Sequence, residues 1–368
     1  MSNAWYVRTY KEGDESGITK LLKRNAEDWL WEYKQNPFGH LIGVAAHDNQ
    51  LVGNMAMVPV NMKIGTKTVL ASQAVDLVVH PEFRRQGMFL AIGRFLAEET
   101  QRKTIDIWYG IPNKLAHSGH LKYGWFDICT VPLLINPISL GRVSETFMGK
   151  HKITRFFNRY KVSRKTSKII VQLILSIDRF FAKLFSQTGD NENEKNFEIR
   201  EISSFDERVD VLWKKASKDY PIAVVRTSEY LNWRYVKKPQ AKYRILSAER
   251  SGEIVGYIVL KTREEENLKS GYIVDIFAQC SDKSLIQSLI LKAIEHLKEE
   301  KVDLIYCWML KNGLSTRVYY ETLRYNGFTH LFGRTHPLIA RANSPRISKY
   351  FIGDSKNWFI TIGDSDHI

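Results

Sequence analysis

Hydrophobic positions along this chain change their period in a fixed order, and the order occurs twice. Leu41 to Ala46 and Leu51 to Ile64 read as two strands about a polar turn. Val69 to Val79 predicts a third strand, after which apolar residues from Phe89 to Glu99 fall at helical spacing. Ile105 to Ile111 closes the unit as a short strand, followed by a polar helix and the pair Gly124-Trp125. The second half runs through the same series. Strands are predicted over Tyr243 to Glu249, Ile254 to Thr262 and Gly271 to Phe277, a helix over Leu285 to Leu297 and a strand over Val302 to Met309. A polar helix and Gly327-Phe328 follow. Ahead of each series stands a segment repeated in its letters: Asp28-Trp29-Leu30-Trp31-Glu32-Tyr33-Lys34 with Pro37, and Glu229-Tyr230-Leu231-Asn232-Trp233-Arg234-Tyr235-Val236-Lys237 with Pro239. The Trp and Tyr residues of this repeat read as shared packing. Strands and helices alternating in this way predict an α/β unit with a mixed α+β sheet, built twice. The length of 368 residues agrees, being about two domains' worth.

Between the halves the pattern breaks. From Gly141 to Ser186 there are eleven basic side chains and two acidic ones, a surplus of nine within a chain whose net charge is +14. Ile169, Ile170, Val171, Leu173, Ile174, Leu175, Ile177, Phe180, Phe181, Leu184 and Phe185 would at helical spacing make a very apolar helix or helical pair, and Gly189-Asp190-Asn191-Glu192-Asn193-Glu194 ends it as a solvated linker. The expected organisation is therefore a domain over residues 1–140, a basic amphipathic helical insertion and linker over 141–196, and a second domain over 197–368. A basic helix with bulky apolar residues suits peripheral contact with an anionic membrane through residues 150–185. The simpler reading is an insertion packed on the body with its charges in water.

The positive balance directs the protein towards anionic partners without choosing among them. Cys129, Cys280 and Cys307 follow no metal-ligand spacing, so neither a metal site nor a disulfide framework is expected. No signal-like or membrane-spanning stretch is evident, and a cytoplasmic, at most membrane-peripheral, location is expected.

Chemistry concentrates where strand Val75-Asp76-Leu77-Val78-Val79 runs through His80-Pro81-Glu82-Phe83-Arg84-Arg85-Gln86-Gly87-Met88-Phe89 into a helix. A helix N-terminus presents backbone N–H groups without intrahelical partners and the positive end of the dipole, which makes it an anion site. Gly87 lets a phosphate approach the backbone, and Arg84 and Arg85 supply cationic donors. A pyrophosphate cradle is the physical reading. Asp76 lies mid-strand among apolar residues, where an unpaired carboxylate is costly. Two roles are open to it: a base or anchor for a substrate ammonium, or a hydrogen-bonded structural residue beside a strand bulge.

This segment resembles the acyl-CoA-binding motif of the GNAT superfamily, Arg/Gln-x-x-Gly-x-Gly/Ala. Arg84 and Gly87 fill its first two fixed positions, and Phe89 stands where Gly or Ala is usual. Pro112-Asn113-x-x-Ala116 and Tyr123-Gly124-Trp125 resemble the landmarks around the family's fourth helix. The resemblance spans roughly residues 5 to 136 and implies two GNAT-like domains in tandem, the second degenerate, since Cys280-Ser281-Asp282-Lys283-Ser284 replaces the cradle there. It implies acetyl-CoA as cofactor, with Leu77, Val78 and Val79 against the pantetheine arm, Arg84, Arg85, Gln86, Gly87, Met88 and Phe89 around the pyrophosphate, and Asn113 nearby. His120 stands at the position of the usual thiolate-protonating Tyr, with Tyr123 as its substitute. By the same resemblance the second half forms part of the acceptor cleft. The chain's end, from Trp358 on, is read as a strand with an acidic tip that brings Asp364, Asp366 or the Ile368 carboxylate to the cleft as base. The implied activity is acyl transfer to a primary amine of a small polar acceptor, with an amino sugar of a surface polysaccharide as the favoured example. The rival readings are a Fem-type aminoacyl-tRNA-dependent ligase, which does not depend on coenzyme A, and a non-enzymatic anion- or nucleic-acid-binding module. No nucleic-acid motif supports the latter, and nucleic acid is not an expected partner.

Overall fold

Two mixed sheets, each built largely from one half of the chain, exchange strands where the halves meet. The computed structural model describes residues 5–149, 169, 173, 196–265, 268–331 and 336–366. The basic stretch expected to meet a membrane lies outside the described residues, apart from Ile169 and Leu173, as do His367 and Ile368. Among the described residues no helix is long and apolar enough to cross a membrane.

The first sheet opens with β1 (Tyr6–Thr9), β2 (Leu41–His47), β3 (Gln50–Ile64) and β4 (Lys67–Val79), antiparallel in turn, and continues to β5 (Ile107–Gly110), parallel to β4. Asp48 and Asn49 both take positive φ, as the tight turn between right-twisted strands requires. Helices α1 (Glu15–Leu22) and α2 (Ala26–Tyr33) link β1 to β2, and Asn25 caps α2 by accepting from the Glu27 N–H. Helix α3 (Met88–Arg102) buries Met88, Ile92, Leu96 and Thr100, one stripe at four-residue spacing, against β2 and β3. Next come α4 (Lys114–His120), β6 (Phe126–Val131), β7 (Leu133–Pro137) and α5 (Leu140–Gly149).

The second half repeats the plan in β8 (Glu198–Ile202), α6 (Arg208–Ala216), β9 (Ile222–Val224), α7 (Ser228–Leu231), β10 (Tyr243–Arg250), β11 (Glu253–Glu265), β12 (Leu268–Ala278), α8 (Lys283–Glu299), β13 (Leu304–Trp308), α9 (Arg317–Tyr325), β14 (Thr329–His330) and β15 (His336–Ala342). Five-residue π-helical turns from Asn232 to Val236 extend α7. Ser251 and Gly252 reproduce the positive-φ turn of the first half.

The crossover is reciprocal. Strand β15 inserts between β5 and β6 of the first sheet, and β7 inserts between β13 and β14 of the second. In addition β9 pairs with β3. Division of the chain near residues 140 and 197 therefore does not divide the sheets: each half closes its sheet with a strand of the other. A continuous core joins them, with Trp31 and Trp233 stacked at 5.1 Å between centroids. Each indole N–H donates to the other residue's carbonyl, at 2.8 and 3.1 Å.

The end of the chain departs from expectation. Instead of a strand, residues after α10 (Lys349–Gly353) form two single 3₁₀ turns, Ser355–Asn357 and Ile362–Asp364, with one isolated bridge between Ile222 and Trp358. The apolar run Trp358 to Ile360 is fully buried between the halves, so its continuity reflects core burial and not sheet pairing.

Candidate active site

Strands β4 and β5 are paired only from Ala71 to Gln73 against Ile107 to Tyr109, and then part. Two hollows fill the resulting wedge. One, of about 370 Å³, lies between Ala74–Val78 and Gly110–Asn113, with His120, Trp125, Leu22 and Met55 also in its lining. The second, of about 480 Å³, continues past Leu77 and Val78 to Arg84, Arg85, Gly87 and Phe89, with Leu115 on the opposite lip. Leu77, Val78, Asn113 and Ala116 line both, which makes them one cleft. Asn113 is fixed as the N-cap of α4, its Oδ1 accepting from Leu115 and Ala116 N–H at 3.0 Å.

The outer end of the cleft fits a pyrophosphate. A single 3₁₀ turn, Pro81–Phe83, leads to Arg85 at φ +63° and Gly87 at φ +80°. Gly87 is the N-cap of α3 and carries no side-chain cap, so the helix's first N–H groups are left for an anion. A Cβ at Gly87 would meet no atom within 4 Å. A side chain here would be strained and would fill the open space a phosphate needs. Arg84 is steadied by its Nε donating to Val79 O at 3.1 Å, and both it and Arg85 are exposed along the cleft. Gln86 turns back to Glu82 O and lines neither hollow, while Met88, buried in the core, also lines the outer one.

Phe89, in place of a small residue, belongs to an aromatic cluster, with its ring edge-on to His120 at 5.3 Å and to Tyr123 at 5.8 Å. Gly119 makes this packing feasible, since a Cβ there would lie 2.1 Å from Phe89 Cε1. His120 is buried and lines the inner hollow; its Nδ1 stands 2.6 Å from the Tyr123 hydroxyl, which lies behind it and lines neither hollow. Burial first, and His117 second, lower the His120 pKa to about 4, and burial pushes the Tyr123 hydroxyl up. Both groups are thus neutral at pH 7. His120, which stands at the position of the usual thiolate-protonating Tyr, is a buried, neutral imidazole in the wall of the inner hollow.

Asp76 occupies a bulge. Ala56 opposes Val75 and Asn54 opposes Val78, so that Asp76 and Leu77 together face Met55, and Asp76 takes φ +49°. Asn54 Nδ2 donates to the Asp76 carbonyl at 2.8 Å. The bulge aims the carboxylate into the inner hollow at 18% exposure, with Oδ2 held by Arg24 at 2.6 Å and by the Tyr33 hydroxyl at 2.7 Å. Arg24 also binds buried Glu32. Burial opposes the guanidinium charge, yet Glu32 and Asp76 outweigh it and hold Arg24 above its ordinary value. Asp76 is therefore both a bonded residue at a bulge and a cavity wall.

The chain's end arrives at the same hollow. Asp366 is exposed and lines it, with Ile339 of β15 beside it. Asp364, by contrast, is buried away from the cleft, bound to Arg226 at 2.9 Å. Arg234 donates to Gly363 O at 2.9 Å and also to Ser365 O, and Thr361 and Asp364 form a capping box. Arg226 and Arg234 thus clamp residues 361–365 and fix where Asp366 emerges.

The counterpart of the Arg24–Asp76 pair explains the second half. Trp31 and Trp233 are separated by 202 residues, and the same offset relates Arg24 to Arg226. Arg226 binds Asp275, in Val274-Asp275-Ile276, at 3.1 Å, with 0% and 1% exposure. Here the wedge beside β12 is filled from within. The Tyr319 hydroxyl accepts from Ala278 N–H and donates to Ala278 O, both at 2.9 Å, and Tyr220 donates to the same carbonyl at 2.5 Å. At the start of α8 the Asp282 carboxylate accepts from Leu285 N–H at 3.1 Å, occupying with an internal anion the place that Gly87 leaves open.

The partners Arg24 and Tyr33 of Asp76, and the clamp on the C-terminal segment, were not anticipated from the sequence. A signal existed: Arg24-Asn25 and Arg226-Thr227 precede the repeated letters at the repeat's own offset, each pair an arginine and a helix cap.

Residues 7–126 match the family described as acetyltransferase (GNAT) domain. Among curated proteins none matches the chain. Similar solved structures include a GCN5-related N-acetyltransferase from Anabaena variabilis, with TM-score 0.61 at 11% identity over 93% of this chain and 73% of that one. A probable N-acyltransferase from Enterococcus faecalis gives 0.59 at 10% identity, over 92% and 73%. N-myristoyltransferase from Saccharomyces cerevisiae with bound myristoyl-CoA gives 0.57 at 12% identity, over 93% and 83%. At these identities the likeness is one of fold.

Proposed function

We propose that this chain, whose first half carries a GNAT acetyltransferase domain, is an acyl-CoA-dependent N-acyltransferase acting on a primary amine, with a single cofactor cleft in that half. One observation carries the reading. The uncapped start of α3, with Gly87, Arg84 and Arg85, opens into the same cleft as two carboxylates, Asp76 and Asp366. An acyl-CoA, when bound, supplies the activated acyl group as a thioester. The chain's own residues do the rest. Backbone groups of Leu77 to Val79, on the edge that β5 leaves, would pair with the pantetheine arm, and the cradle would hold the pyrophosphate. His120, in the wall of the inner hollow, offers a ring N–H where a donor favours developing negative charge. Asp76, fixed by Arg24 and Tyr33, anchors the incoming ammonium, and Asp366, exposed at the rim, takes its proton.

Acetyl-CoA is the preferred donor and a small polar amine, such as an amino sugar of surface polysaccharide synthesis, the preferred acceptor. Ile339 and Asp366 in the lining support a share of the second half in the acceptor cleft. The charge of residues 150–185 supports peripheral contact with an anionic membrane. The open cradle weighs against aminoacyl-tRNA as donor. Free-thiol release from acetyl-CoA and from myristoyl-CoA, each with a panel of amines, tests the proposal. Amine-dependent release that disappears in Gly87→Glu is expected; release with neither donor would contradict it.

A further inference from the structure

A third hollow, of about 960 Å³, lies on the other side of the end of β4, between the C-terminal end of α1, the residues after the β2–β3 turn and Val78–Pro81. It shares Leu22 and Val78 with the inner hollow, and Val78, Val79 and Arg84 with the outer one. The inner hollow has two acidic side chains in its wall, Asp76, bonded to Arg24, and Asp366, whereas this one is basic. Lys20, Lys23, His80 and Arg84 line it, against Asp14 alone among the acids. Asp14 is already neutralised, by Arg8 at 2.6 and 2.8 Å and by the Lys11 N–H. Lys20 and Lys23 are exposed, and neither forms an ion pair among the described residues. Lys23 is held at φ +55°, its N–H closing α1, while its neighbour Arg24 serves Asp76.

We infer that the acceptor is an amine bearing a phosphate group, with its ammonium at Asp76 and Asp366 and its phosphate in this basic hollow; the inference rests on the acyltransferase reading. Two hollows, one basic and one with two acidic side chains in its wall, that meet at Leu22 and Val78 match a molecule with separated charges of opposite sign, and a neutral or purely cationic amine would leave the lysines without a counter-charge. Phosphate could also reach this hollow from the coenzyme itself, whose cradle shares Arg84. The proposal commits to the acceptor, and the two sources separate experimentally.

Inorganic pyrophosphate is titrated calorimetrically into the full chain saturated with coenzyme A, and into Lys20→Glu/Lys23→Glu under the same conditions. Saturable binding, weakened at least tenfold in the double variant while its affinity for coenzyme A is unchanged, is the expected result. Absence of saturable binding, or equal binding by the double variant, overturns the proposal. So does a loss of coenzyme A affinity in that variant, which would give the hollow to the coenzyme. Lysines that only stabilise the end of α1 would lower the melting temperature and leave pyrophosphate binding as it was, which also overturns it. Should coenzyme A fail to bind the parent chain, the acyltransferase reading fails, and the pyrophosphate titration of Gly87→Glu, with its cradle blocked, still reads the basic hollow by itself.

Discussion

The two halves carry the same arginine–aspartate pair beside the same parting of strands, and use them in opposite ways. In the first half the pair borders water: Arg24 and Asp76 are 23% and 18% exposed, and the wedge beyond them is a cleft. In the second, Arg226 and Asp275 are sealed, Asp364 from the chain's end completes the cluster, and Tyr319, Tyr220 and Asp282 make the bonds a ligand would otherwise make. An open site and a structural centre thus differ less in their charged residues than in what the chain puts in front of them. A sealed copy can then act as the fixed point that brings Asp366 to the open one.

Breaking the exchange between the halves has the largest expected effect. Deletion of residues 336–342 removes β15 from between β5 and β6 and exposes both edges, so the cooperative thermal transition followed by circular dichroism should be lost. A sharp transition would show that the halves fold independently. Arg226→Ala comes next. It leaves Asp275 and Asp364 as buried, unpaired acids and should cost about 3 to 5 kcal/mol in denaturant unfolding. Arg24→Ala, at the wetter copy, should cost less and abolish acyl transfer; equal costs would remove the distinction between sealed and open pairs.

The pH dependence of stability sharpens the same contrast. With its pKa lowered from 6.5 to about 4, His120 binds its proton more weakly folded than unfolded. Its contribution is complete above pH 6.5 and is lost as pH falls towards 4, by up to about 3 kcal/mol. His120→Gln should flatten the stability curve over that interval, and an unchanged slope would place the titration elsewhere. The smallest effect is expected from Tyr319→Phe, about 1 to 3 kcal/mol for the Ala278 N–H left without its partner, since Tyr220 still donates to the carbonyl. It should create no second coenzyme site, because Asp282 still caps α8.

Local pattern carried much of this architecture. The apolar runs of β2 to β4 and β10 to β12 with the turns between them, the stripe of α3 and the glycine before it are all short-range features, each dictated by residues a few positions apart. Reciprocal strand insertion left no such trace, since β7 and β15 have the apolar run of any buried strand and their partners lie far away in sequence. The buried run Trp358 to Ile360 was misleading for a related reason: burial on all sides gives a segment strand-like letters whatever its hydrogen bonding. Asp76 could be singled out as an acid in need of a partner, but its partners Arg24 and Tyr33 come from a neighbouring helical segment that only the fold brings against the bulge.

The central claim is that one half binds acyl-CoA and the other has filled its own site. Calorimetric titration of the full chain with coenzyme A, beside Gly87→Glu, tests it most directly. The account predicts saturable binding of one equivalent per chain, lost in the variant. Two equivalents, or one that persists in Gly87→Glu, would contradict it.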